Sequence, residues 1–503
     1  DAQRYFDQGM VLAFGFNHAE SIRSFRAAQT LDPSCAMCFW GEALATGPNI
    51  NVTANGKAVM TEDEQVAAYA ALQKARELAP NANQTEQDLI GALATRYAPQ
   101  PVADRSELDR AYATALGDLV AKYPEDDDIA AMYAEAWMNT MPWDYWSDGE
   151  TPRPEAVGAI NALEDILARS PNHPLALHLY IHALEASSDP GRAEAAADRL
   201  ANLVPGSGHL VHMPAHIYWR VGRYNDSVEA NIRAAKVDED YIAACNAQGF
   251  YPALYYPHNI HFLWASASMQ GQSELAIEAG EKVAENVRLE MIDEFPTVEF
   301  FHTIPLLTLV HFARWDDVMA RPQPRADLAF SNAIWRYARG IAHARNGDID
   351  GAREEQAALA PLLANEKVLY LDGADYPASV LLGIANNLLE GEIALAQGDA
   401  EAAILQFQTA VEAQDQLPYM EPPFWYYPTR QSLGEAYIAA GKFAEAESVY
   451  RKDLEEYPRN GWSMSGLVKA LESQGKTEAA EEVEKTFAIV WRHSDIELDG
   501  SRL

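Results

Sequence analysis

The sequence predicts an all-α fold of stacked, antiparallel helix pairs. Three observations predict it. A helix–turn–helix design recurs in five separate stretches, a glycine or an Asp-Pro step marks the turn inside the pair, and no run alternates apolar and polar residues as a half-buried strand would. At 503 residues the chain is also too long for one compact core, which points to a repeat array or to several domains.

The pairs are read in chain order. "FNHAESIRSFRAAQTLDPSCAMCFWGEAL" (16–44) is a helix, an Asp-Pro turn and a helix. "WRVGRYNDSVEANIRAAKVD" (219–238), "WRYARGIAHARNGDIDGAREEQAAL" (335–359), "NLLEGEIALAQGDAEAAILQFQTAVE" (387–412) and "SLGEAYIAAGKFAEAESVYRKDLEEYP" (432–458) repeat the design around a glycine. Small residues recur where paired helices must approach closely, and proline often closes the second helix. This pattern resembles the tetratricopeptide repeat superfamily, in which pairs of about 34 residues stack into a superhelix with a concave groove. The stretches "GHLVHMPAHIYWRVGRY", "YYPHNIHFLW" and "EPPFWYYPTRQSLGEAY" are together similar to a group of bacterial tetratricopeptide-repeat proteins, a resemblance that implies the fold and assigns no activity. Four regions follow: repeat-like helices over 1–140 with a polar insertion at 45–64, an aromatic loop at 141–156, a histidine-rich repeat region at 157–320 and C-terminal repeats at 321–503.

Histidines fall in register within this frame. Counted back from the turn at Gly222, His216, His212 and His209 stand at six, ten and thirteen residues. From a turn near Ser188, His182 and His178 stand at six and ten; from Gly271, His261 and His258 stand at ten and thirteen. Offsets of three, four and seven share one stripe of a helix. The superfamily resemblance implies that this stripe of each first helix faces the groove, so the seven histidines are expected to converge. Clustered imidazoles repel when protonated and need partners when buried, and a transition metal meets both needs. Metal ligands are therefore expected at His178, His182, His209, His212, His216, His258 and His261, for one or two ions, copper or zinc before iron. Glu135, at the matching position of the preceding helix, is the expected carboxylate, and Glu135 and His182 are the candidate catalytic pair. His18, His173, His311, His343 and His493 read as ordinary exposed or satisfied side chains, His173 as a helix cap and His343 as a packing residue.

Other features admit two readings each. Trp143, Tyr145 and Trp146 in the 141–156 loop form a substrate wall or a plug over the groove. Cys35 and Cys38, with Ser34 as a helix cap before them, form a disulfide or a redox pair; no second Cys-x-x-Cys completes a zinc site. With 38 basic and 74 acidic residues the net charge of -36 disfavours nucleic acid and anionic membranes as partners, and no apolar run is long enough to predict membrane insertion. The chain begins at Asp1 with no signal peptide in view, compatible with a leader removed upstream; an exported or periplasmic location is favoured over a cytoplasmic one. Two functions are weighed. One is a metal-dependent enzyme, an oxidase, oxygenase or hydrolase, acting on a small substrate. The other is a repeat scaffold holding a peptide in its groove, or a metal store without catalysis.

Overall fold

The computed structural model describes residues 1–54, 57–247 and 249–503. Helices dominate, and the one sheet among the described residues is a two-residue hairpin, Thr53–Ala54 against Lys57–Ala58, inside the expected insertion; residues 55 and 56 of that insertion lie outside the described residues. The fold is all-α, built in each unit of antiparallel helix pairs. Two compact units divide the chain, one of residues 1–217 and 236–251, the other of residues 218–235 and 252–503. These limits cut through the histidine-rich region instead of following the boundaries expected at 140, 156 and 320. In an array each repeat meets only its neighbours, so a shared motif does not mark where one unit stops.

In the first unit the pairs include Ala36–Thr46 with Glu62–Leu78, Asp127–Thr140 with Pro154–Arg169, and Pro174–Leu184 with Glu194–Leu200. Their starts are capped as the sequence suggests. Thr61 and Glu64 form a reciprocal capping box on Glu62–Leu78, and Asn83 with Glu86 does the same for Gln84–Leu93. His173 caps Pro174–Leu184 by accepting from the Ala176 N–H at 3.2 Å. The cap of Ala36–Thr46 is Cys35, not Ser34, and Cys35 is joined to Cys38 by a disulfide.

In the second unit the pairs run Tyr256–Met269 with Ser273–Asn286, Ala329–Arg345 with Ile349–Leu359, Ala378–Ala396 with Ala400–Asp415, Arg430–Ala439 with Phe443–Glu456, and Gly461–Ser473 with Thr477–Val490. The turn inside the last two pairs needs a glycine: Gly441 and Gly475 sit at φ +71° and +75°, where a side chain would be strained. Contrary to the expectation that no apolar run reaches membrane length, Ala378–Ala396 is 19 residues long with a mean hydropathy of 1.2. It is a core helix: Leu381, Leu382, Ile384, Leu388 and Leu389 are all buried.

Close approach is what the recurrent small residues provide. The ring of Phe25, fully buried, lies between Gly9 and Gly41, where added Cβ atoms would stand 2.8 and 2.3 Å from it. Tyr450 is held in the same way between Gly434 and Gly466, at 2.3 Å from each. Gly41→Ala would gain about 1 kcal/mol of helix propensity. Because Phe25 is blocked on the Gly9 side as well, overpacking of about 1–3 kcal/mol is expected to outweigh that gain. The denaturant midpoint of Gly41→Ala should therefore fall; a rise would mean that the ring moves aside freely.

Candidate metal centre

Five of the seven predicted histidines meet in the first unit. His178 and His182 lie one turn apart on Pro174–Leu184. His209, His212 and His216 come from the next first helix, which is interrupted at Met213 because Pro214 has no N–H to donate; Gly208–His212 and Pro214–Arg220 are its two parts. All five are buried, between 0 and 3% exposed. They are thus enclosed, not displayed on an open groove as expected.

One ligand nitrogen from each of His178, His182 and His209 lies within 4.8 Å of the others. The Nε2 atoms of His178 and His209 are 3.1 Å apart, and those of His212 and His216 are 2.8 Å apart. The other ring nitrogens explain why these atoms face inward. His178 Nδ1 donates to the Phe14 carbonyl at 2.7 Å, so its Nε2 carries the lone pair when the ring is neutral. His182 Nδ1 donates to Glu185 Oε1 at 2.7 Å, and His216 Nδ1 donates to Glu185 Oε2. His182 Nε2 is then a buried lone pair with no hydrogen-bond partner.

Glu185 was not expected. It is fully buried, and burial alone would raise its carboxyl; the imidazoles of His216 and His182 outweigh that and hold it below the usual carboxylate range. Burial pushes His178 well below its ordinary value, with His182 adding to the effect, and burial likewise lowers His182 against the pull of Glu185. Burial thus favours neutral rings at His178 and His182, and Glu185 is held in its ionised form. The signal for Glu185 was present in the sequence: it follows His182 by three residues, the same face of one turn.

Glu135 does not join them. Burial raises its carboxyl to about 7 against the opposing charge of Arg96, and its other electrostatic neighbours are Tyr112 and Tyr145. It makes no hydrogen bond to these histidines. In the second unit His258 and His261 lie on Tyr256–Met269; His261 stacks on Trp264 at 5.1 Å, with Phe300 and Phe301 against its ring. His343, expected on a packing face, is half-buried and bonds Asp348 at 2.8 Å.

Phenylalanines and the aromatic loop close the site. The Phe16 ring packs on His178 at 4.5 Å and stacks with His209 at 5.6 Å. Its backbone is left-handed, φ +56°, which is costly for a bulky residue and places both the ring and the Phe14 carbonyl on the histidines. Gly15 between them passes so close to Ser207 that an added Cβ would stand 2.5 Å from its hydroxyl. In the loop, Trp146 donates to the Ala183 carbonyl at 2.7 Å and Tyr145 is buried, so both anchor it. Trp143 alone of the three is exposed, at 40%, and its ring stands edge-on to His182 at 5.1 Å.

Comparison with known proteins addresses the fold. Residues 432–488 match the tetratricopeptide repeat family. That C-terminal stretch carries tetratricopeptide repeats. No curated protein matches it in sequence. Among solved structures it is similar to a human IFIT1 dimer with m7Gppp-AAAA, at 13% identity and a TM-score of 0.34, over 85% of this chain and 87% of that one. It is also similar to yeast Tom70, at 11% identity and a TM-score of 0.30, over 96% of this chain and 90% of that one. Likeness at this level says nothing about what the repeats described here bind.

Buried histidines away from the cluster weaken the metal-free protein in acid. Burial lowers His261 and His311 to about 3 each. Above pH 6.5 both are neutral folded or unfolded and contribute nothing. Below it the unfolded chain takes up protons that the native state refuses, so stability falls by about 1.4 kcal/mol per pH unit for each group. The loss of denaturant midpoint between pH 6.5 and pH 4 should be smaller in His261→Gln than in the unchanged chain, the raised carboxyls of Glu135 and Asp453 acting the other way equally in both; an equal loss would contradict the burial of this ring.

Proposed function

We propose that this repeat protein is a metalloprotein holding one transition-metal ion, zinc or copper, on His178, His182 and His209. The observation that carries the reading is the Glu185 bridge. A metal-ligating imidazole usually donates its other N–H to a carboxylate or carbonyl, which fixes the tautomer and raises ligand basicity. His182 has that partner in Glu185 and His178 has it in the Phe14 carbonyl. Around a tetrahedral ion with bonds of about 2.0–2.1 Å, ligand nitrogens stand about 3.3 Å apart, close to the His178–His209 separation. An all-nitrogen set suits zinc and copper. Iron would call for a carboxylate ligand, and both oxygens of Glu185 are already taken by imidazole N–H groups.

Three protein ligands leave a coordination position open, which is the arrangement of a catalytic and not a structural site. Water or a small substrate would take that position, and the ion would supply Lewis-acid or water-activating chemistry. The chain's own residues orient the ligands (Glu185, Phe14), exclude water (Phe16) and offer one exposed aromatic face beside His182 (Trp143). Enclosure also argues against a peptide reading for these histidines, since a peptide groove must be open to its ligand.

Protein purified without a histidine tag should carry close to one zinc or copper per chain by elemental analysis. His182→Ala should lose most of it, while His343→Ala should keep it. Glu185→Gln should retain the ligands but weaken affinity by about 10–100-fold. Protein that carries neither metal and takes up neither at neutral pH would refute the reading.

A further inference from the structure

The second unit holds part of its own chain as a bent, non-helical segment. Residues 499–503 form no helix, and they lie against the first helices of four successive pairs, Ala329–Arg345, Ala378–Ala396, Arg430–Ala439 and Gly461–Ser473, with Tyr450 of a second helix bonded to the Ser501 hydroxyl. Much of the contact is to backbone. Lys469 donates to the Asp499 carbonyl at 3.0 Å, the Gly500 N–H donates to Ser465 at 3.4 Å, and the Ser501 N–H donates to Glu435 at 2.6 Å. The Ser501 hydroxyl donates to the Gln431 carbonyl at 2.8 Å.

Two positions carry selectivity. Gly500 has φ +122°, where any side chain is strained, and a Cβ there would displace the Glu435 carboxylate, whose oxygen stands 2.1 Å from it. Arg502 is the anchor. Its side chain is 7% exposed, its guanidinium lies 4.4 Å from the centre of the Tyr427 ring, and Glu392 stands 4.0 Å away. It also donates to the Tyr427 and Ser432 hydroxyls. A planar cation over an aromatic ring, with a carboxylate and two hydroxyls around its edge, is an arginine pocket.

We propose that this face is a peptide site selective for a non-helical Gly-Ser-Arg sequence, and that residues 499–503 occupy it as an internal ligand. Asp499, Gly500, Ser501 and Arg502 bring polar contacts and a stacked cation instead of apolar core, and contacts of that kind can exchange. Tethering gives the internal segment a high effective concentration. A partner segment of the same chemistry therefore binds well only when the internal one is displaced. This inference uses none of the residues of the metal site and stands apart from it.

The test is binding of a fluorescein-labelled peptide, Glu-Leu-Asp-Gly-Ser-Arg-Leu, the sequence of residues 497–503. A chain lacking residues 499–503 should bind it saturably, and the full chain should bind it more weakly by about tenfold or more. Peptides with Arg→Ala or Gly→Val at the positions of Arg502 and Gly500 should lose more than about tenfold. If the shortened chain does not fold, Arg502→Ala and Gly500→Val in the full chain release the segment by substitution and should expose the site to the same peptide. No binding to any of the three, or loss of the folded far-UV signal in all of them, makes the segment a fixed part of the fold and overturns the proposal.

Discussion

The buried carboxylate of Glu185 is the constraint around which the histidine cluster is arranged. A lone carboxylate out of water is very unfavourable, and it survives here because two imidazole N–H groups satisfy its oxygens. The same two bonds tie Pro174–Leu184 to the following first helix and set the tautomers of His182 and His216. With Nδ1 committed as donor, each Nε2 is an acceptor facing other imidazoles. His209 and His212 can donate an Nε2–H to His178 and His216, while His182 Nε2 is left as a buried lone pair without a partner, a position that suits a cation. Removing one partner of such a buried pair typically costs about 3–5 kcal/mol, so the carboxylate and its histidines stand or fall together.

The helix-pair architecture makes this convergence possible at modest cost. Successive first helices lie side by side, so residues about 31 apart, such as His178 and His209, become hydrogen-bond neighbours. Glycines facing aromatic rings let the helices approach closely enough for that. The N-terminal helix then completes the site from far away in sequence, through the Phe14 carbonyl and the Phe16 ring. A strained, left-handed Phe16 in contact with two of the histidines is the kind of backbone feature that persists where surrounding structure over-determines it.

The helix pairs and their turn glycines were legible because periodicity and turn chemistry are local. The stripe of His178, His182, His209, His212 and His216 was legible for the same reason, since equal offsets from equal turns fall on equivalent faces. Glu185 was missed although it follows His182 on the same helical face, because counting back from the turn weighs only the positions already occupied by histidine. Glu135 fits that count, yet it lies among Arg96, Tyr112 and Tyr145. Its offset was right and its surroundings were not, since register gives the face of a helix and not which neighbour stands opposite. Phe14, Phe16 and the internal peptide at 499–503 could not be read at all. Their partners lie 30 or more residues away, and nothing local announces them.

Diffraction data collected across the zinc and copper absorption edges, from crystals of protein purified without added metal, test the central claim most directly. The account predicts one anomalous peak bonded to nitrogens of His178, His182 and His209, with the Glu185 carboxylate behind His182 and not bonded to the ion. A peak elsewhere, ligation by Glu185 itself, or three imidazoles hydrogen-bonded to one another around no ion in metal-supplemented crystals would contradict it.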